Sequence, residues 1–134
     1  MKRAASKISA AKTRAKPRQS TAIKIKRAYE PAEKDDGIRI LIDRLWPRGL
    51  SKASFKFDEW PKELAPSNEL RKWYGHDPKR AAEFRRRYLK ELAPHRDALE
   101  ALKTKLKGRT ATLLTATREI DLSHAIVLRE VLER

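Results

Sequence analysis

The sequence predicts a small α/β domain of three layers, in which a short, mostly parallel sheet is flanked by helices. Three observations carry that expectation. Two strand-like segments, AIKIKRA at 22–28 and IRILID at 38–43, come early, and a third, TATLLTA at 110–116, comes only after a long helical stretch. A parallel pair of strands needs a crossover of that length and character. The chain has 134 residues and no internal repeat, which suits one domain with its own core.

Each element has a local reason. In 22–28 apolar and basic residues alternate, as in a strand with one wet face. The turn-rich PAEKDDG separates it from the apolar run Ile38–Ile42, which fits a strand covered on both faces. The stretch from Gly49 to Pro66 is mixed, with Phe57 and Trp60 as apolar anchors. Ser67 can cap a short helix, NELRKWY, that Gly75 closes. Asp77 is a good N-cap and Pro78 suits the first helical position, where its missing N–H costs nothing. Ala81, Phe84, Tyr88 and Leu92 then recur at helical steps along one face. Pro94 breaks or kinks that run. A further helix carries Leu99, Leu102 and Leu106 and stops at Gly108. After the third strand, Asp121 or Ser123 caps a last helix with Ile126, Val127, Val131 and Leu132 inward.

Composition narrows the function classes. There is no cysteine, which excludes disulfides, thiolate nucleophiles and cysteine metal sites. No window approaches the roughly 20 apolar residues that span a bilayer, and no apolar leader core follows the start, so a cytoplasmic protein without a membrane partner is expected. The net charge is +15, and seven of the 33 Lys and Arg but no acid fall within the first 20 residues. Residues 1–21 therefore read as a disordered basic arm ahead of a single domain over 22–134. Such an arm suits weak attachment to nucleic acid or an anionic surface, resembles a transit peptide in composition, and equally suits a solvated tail.

The predicted topology also places a site. In open α/β sheets ligands bind beyond the carboxyl ends of the strands. The second strand runs out into DRLWPRG, which supplies Asp43, Arg44, Trp46 and Arg48. The third runs out into Thr115, Thr117, Arg118 and Glu119 just before a helix start. Arg44 and Arg48 offer forked donors for carboxylate or phosphate oxygens. A helix N-terminus after Glu119 would add amide donors for the same purpose. Asp43 and Glu119 are candidate acid/base or nucleophilic carboxylates. Trp46 could stack on a flat ligand, and His76 beside Asp77 invites a proton relay.

The same residues have purely structural readings. Asp43 and Arg44 can pair with each other or cap a turn, Trp46 and Trp60 can be core, and Glu119 can complement a helix dipole. Asp77 has a defined role as an N-cap, and His76 can fill a tight turn. His76, His95 and His124 lack metal-site spacing. No phosphate-cradling glycine loop and no GxSxG elbow is present, so the sequence calls for no cofactor.

Four stretches in order, DDGIRILIDRLWPRGLSK, DEWPKELAPSNELRKWYGHDP, EFRRRYLKEL and TLLTATREIDLSHAIVL, closely resemble the YeaO-like members of domain-of-unknown-function family 488. The resemblance spans about residues 22–134 and implies an α/β fold and a small bacterial cytoplasmic protein. It implies no particular reaction. In the last stretch the family often reads LLYAAKD followed by HNHA. Here Thr115 replaces the tyrosine, Glu119 the aspartate, and Leu122 and Ser123 the His-Asn pair, while His124 and Ala125 match. A catalytic histidine at the first of those positions would be missing from this chain, which shifts weight to Asp43, Arg44 and Arg48.

Three functions are then in play. The first is binding of, or catalysis on, an anionic, phosphate-bearing or nucleotide-like small molecule at the converging strand ends. The second is a nucleic-acid-binding accessory role for the basic arm and surface, Arg85–Arg87 included. The third is an interaction module without catalysis. Basic surfaces serve all three.

Overall fold

The computed structural model describes residues 22–134. The expected basic arm at 1–21 lies outside the described residues. Three strands form one sheet: β1 (Ala22–Arg27), β2 (Ile38–Leu41) and β3 (Thr110–Thr115). Their order is β1-β3-β2 and both pairings are parallel, with Ile25 and Ile40 both in register with Leu113. Four α-helices complete the domain: α1 (Asn68–Tyr74), α2 (Ala81–Leu92), α3 (Arg96–Leu106) and α4 (His124–Glu133). The central place of β3 explains its composition, since Ala111 to Thr115 are all buried.

One face of the sheet is covered by helices. Ile23, Ile40, Ile42, Ala111 and Leu113 pack with Tyr74 of α1, Phe84 and Tyr88 of α2, Leu102 and Leu106 of α3, and Leu128 of α4. The other face carries a third layer built from an irregular segment. Leu41 and Leu114 lie under Phe55, against which Trp46, Phe57 and Trp60 gather. Pro47, Gly49, Pro61 and Pro66 interrupt this connection, so apart from a short 3₁₀ turn at Lys62–Leu64 its aromatic side chains do the covering.

The same face becomes polar toward the start of the strands. Asp36 is fully buried, accepts from Lys26 Nζ at 3.0 Å and pairs with Arg39. Its backbone carbonyl accepts from Thr112 Oγ1 at 2.8 Å. Burial alone would raise the Asp36 carboxyl, but the Glu33 amide and the two cations hold it down at about 2. Gly37 follows at φ +66°, where a Cβ would sit 2.0 Å from the Thr110 carbonyl oxygen, so only glycine fits.

The helix signals act as their chemistry predicts. Ser67 caps α1 by accepting from Leu70 N at 3.1 Å, and its hydroxyl donates to Glu91 at 2.6 Å, pinning α1 to α2. Asp77 caps a 3₁₀ turn at Pro78–Arg80 that leads into α2. Pro94 sits in a second such turn, Ala93–His95, which separates α2 from α3. Ser123, not Asp121, caps α4. The helix start expected directly after Glu119 is a single 3₁₀ turn, Ile120–Leu122, and α4 begins only at His124. No described helix is long and apolar enough to cross a membrane.

Candidate functional site

A cavity of about 420 Å³ opens where β2 and β3 end. Its centre is Asp43, whose side chain is only 13% exposed. Two groups from the end of β3 hold this carboxylate. Thr115 Oγ1 donates to Oδ1 and the Ala116 amide donates to Oδ2, both at 2.8 Å. The two strand ends are thus tied through a side chain at the point where their backbone ladder gives out. Each carboxylate oxygen keeps a further lone pair for a ligand.

His124 enters from the first residue of α4. Its Nε2 lies 2.9 Å from the Ile42 carbonyl oxygen and 3.5 Å from Asp43 Oδ1. A carbonyl can only accept, so Nε2 carries the hydrogen. Burial pushes the His124 pKa down, against the opposing pull of Asp43 and the Ile42 carbonyl. The imidazole is therefore neutral and serves as a fixed donor beside the carboxylate.

The far wall comes from α1 and the turn after it. Tyr74 stacks on Phe84 with centroids 4.1 Å apart. Burial, then the nearby carboxylates of Asp77 and Glu119, pushes its phenol up. Gly75 and His76 are both left-handed, at φ 52° and 53°. That conformation costs a non-glycine residue on the order of 1 kcal/mol. It brings the His76 ring to 5.6 Å from Tyr74 and its Nδ1 to 3.8 Å from Glu119. Arg71 and Lys72, both exposed on α1, complete the lining.

Asp43, His76, Thr115 and Thr117 thus share one cavity, and Glu119 reaches its margin through His76. Thr117 Oγ1 accepts from the Glu119 amide at 3.2 Å. The other candidates lie elsewhere. Arg44 does not line the cavity, because the chain entering α1 captures its guanidinium: Nη2 donates to the Ala65 carbonyl at 2.9 Å. Trp46 belongs to the aromatic layer and donates to the Leu50 carbonyl at 2.6 Å. Arg48 and Arg118 are exposed and outside the lining. In their place the cavity uses Arg71, Lys72, Tyr74 and His124. The first three stand in the stretch DEWPKELAPSNELRKWYGHDP that carries part of the family resemblance, where nothing local marks them as site residues.

Among the described residues, the side chains spaced for a metal ion are Glu33, Asp35 and Asp36, outside this cavity. Asp36 is already committed to Lys26 and Arg39.

The model of the inactive DUF488-N3 subclade matches residues 22–134, the whole described domain. The chain belongs to the DUF488 family. Its relatives agree. It is 46% identical over 108 residues to the uncharacterized protein YeaO of Escherichia coli, covering 81% of this chain and 94% of that protein. It is 45% identical over 115 residues to the uncharacterized protein Rv3073c of Mycobacterium tuberculosis, covering 85% and 96%. No solved structure matches the chain. The family match begins where β1 begins, and residues 1–21 lie outside it.

Proposed function

We propose that this DUF488 domain binds, without turning over, a small nucleotide-like anion in the Asp43 cavity. One arrangement carries the reading. A desolvated carboxylate, Asp43, sits in the same cavity as two exposed cations, Arg71 and Lys72. Such a cavity complements a ligand with hydrogen-bond donors at one end and negative charge at the other. The amine-bearing edge of guanine can donate two hydrogen bonds to one carboxylate, and a phosphate suits Arg71. The volume of about 420 Å³ lies within the usual range for small-molecule sites. Binding is favoured over catalysis because the matching subclade is described as inactive.

The nucleic-acid reading loses one support. Arg85 pairs with Glu130 at 2.6 Å, Arg86 and Arg87 pair with Glu83, and Arg87 also lies 4.2 Å over the Trp73 ring. These cations are already engaged within the domain.

Calorimetric titration with guanosine 5′-monophosphate, guanosine and inorganic phosphate tests the proposal. The nucleotide should bind more tightly than either part. Arg71→Ala should cost the nucleotide roughly tenfold and guanosine almost nothing. Equal affinities for all three, or an Arg71→Ala effect shared by guanosine, refutes it.

A further inference from the structure

A second cavity lies over the other face of the sheet. It encloses about 700 Å³ and is lined by Arg39, Lys52, Lys56 and the rings of Trp46, Phe57 and Trp60, with Phe55 and Asp58 completing it. Four of the chain's nine aromatic residues therefore converge on one irregular segment. Core formation accounts for Phe55, which is 4% exposed and packs on Leu41 and Leu114. The other three rings pack against that core with one side only and stay half-buried, leaving open space beside them.

Two features make this more than a gap in packing. The rings are held in place by their own polar edges. Trp46 Nε1 donates to the Leu50 carbonyl at 2.6 Å and Trp60 Nε1 to the Asp43 carbonyl at 2.7 Å. Trp46 meets Phe57 and Trp60 edge to face, each with centroids 5.7 Å apart. The indole donors are thereby spent, and carbon is left to line the cavity. The charge is also one-sided. Arg39 is fixed by its bond from Nε to the Lys56 carbonyl at 2.7 Å. The ammonium groups of Lys52 and Lys56 have no acidic partner among the described residues. The single carboxylate of the lining, Asp58, accepts from the Arg39 amide at 2.8 Å.

We infer that this aromatic cavity is a second ligand site, and that it takes a small planar aromatic anion. The ligand is one or two fused rings bearing a carboxylate, sulfonate or phosphate. Its ring packs against Trp46, Phe57 and Trp60, where apolar area and offset aromatic contacts favour it. Its charge sits near Lys52 and Lys56. This site shares no lining residue with the Asp43 cavity and stands or falls independently of it.

The test uses the full chain, labelled with nitrogen-15, and follows the three indole N–H signals during titration with naphthalene-2-sulfonate. Trp73 serves as the internal reference, because it lies on α1 between Arg80 and Arg87. The signals of Trp46 and Trp60 should move and saturate while that of Trp73 stays still. Neutral naphthalene-2-methanol should bind about tenfold more weakly, and Lys52→Glu with Lys56→Glu should abolish that advantage. Both lysines are exposed, so the double variant keeps its fold. Absence of a saturable shift, an equal shift at Trp73, or equal binding of the alcohol and the sulfonate overturns the inference. Tighter binding of a short oligothymidylate than of the sulfonate also overturns it, by making the cavity part of a strand-binding surface.

Discussion

Thr115 Oγ1 donates a 2.8 Å hydrogen bond to Asp43 Oδ1 across 72 residues of sequence. It ties the ends of two parallel strands together where they line one cavity. The adjacent Ala116 amide occupies the other carboxylate oxygen, so Asp43 has one orientation. A charged acceptor preorganised in this way needs no rearrangement when a donor arrives.

Replacing Asp43 tests the ligand reading against a merely structural one. Asp43→Asn keeps one acceptor and adds a donor, so the fold should lose only about 1 kcal/mol. Loss of the charge should weaken guanosine monophosphate roughly ten- to a hundredfold. Chemical denaturation and calorimetry on the same sample separate the effects. A variant that is strongly unfolded, or that binds as well as the parent, contradicts the assignment.

Trp60→Phe removes the indole donor to the Asp43 carbonyl while keeping an aromatic ring in the third layer. The carbonyl loses its partner in a half-buried setting, which should cost about 1–3 kcal/mol. The same change should loosen Asp43, so amide exchange at Arg44 and Ala116 should quicken. Unchanged exchange there would show that the indole contact does not steady the strand ends.

His124 predicts a pH dependence with a definite sign. Its folded pKa lies below the ordinary value of 6.5, because burial disfavours the cation. The unfolded chain then binds more protons below pH 6.5, so this group's stabilising contribution is complete above that value and is lost as the pH falls. His124→Gln keeps a donor for the Ile42 carbonyl but cannot titrate. Thermal midpoints measured from pH 7.5 to pH 5 should fall more steeply for the parent than for the variant. Parallel curves would mean that His124 is not held neutral.

Asp36 acts in a more acidic window. Its carboxyl is lowered from 3.8 to about 2, so its contribution is present above pH 3.8 and disappears as the pH drops toward 2. Asp36→Asn leaves the buried Arg39 without its carboxylate and Lys26 with Glu33 alone, which should cost about 3 kcal/mol at neutral pH. The variant should also lose part of the acid transition. Glu83, held at about 2 chiefly by Arg86 and Arg87, supplies a remaining share. An unchanged acid midpoint would show that the buried cluster contributes no net stability.

Much of this molecule was legible along the chain. The apolar runs at 38–42 and 111–114, the Ser67 and Asp77 caps, and the spacing of Phe84, Tyr88 and Leu92 each depend on neighbours a few residues away. Backbone geometry follows from such local terms, so sequence alone determined the elements, their parallel arrangement and the end of the sheet where the cavity opens. Which charged side chains meet there was decided only by the tertiary structure. Arg44 adjoins Asp43 in sequence, yet the Ala65 and Pro66 carbonyls take its guanidinium. His124 stands 82 residues from Ile42 and still reaches its carbonyl. Trp46 leaves the strand end for Phe55, Phe57 and Trp60 on the opposite face of the sheet. The physical reason is common to all three. Periodicity records which side chains must leave water, but a hydrogen-bonding or aromatic side chain takes the partner that packing brings within reach, and that depends on every element at once.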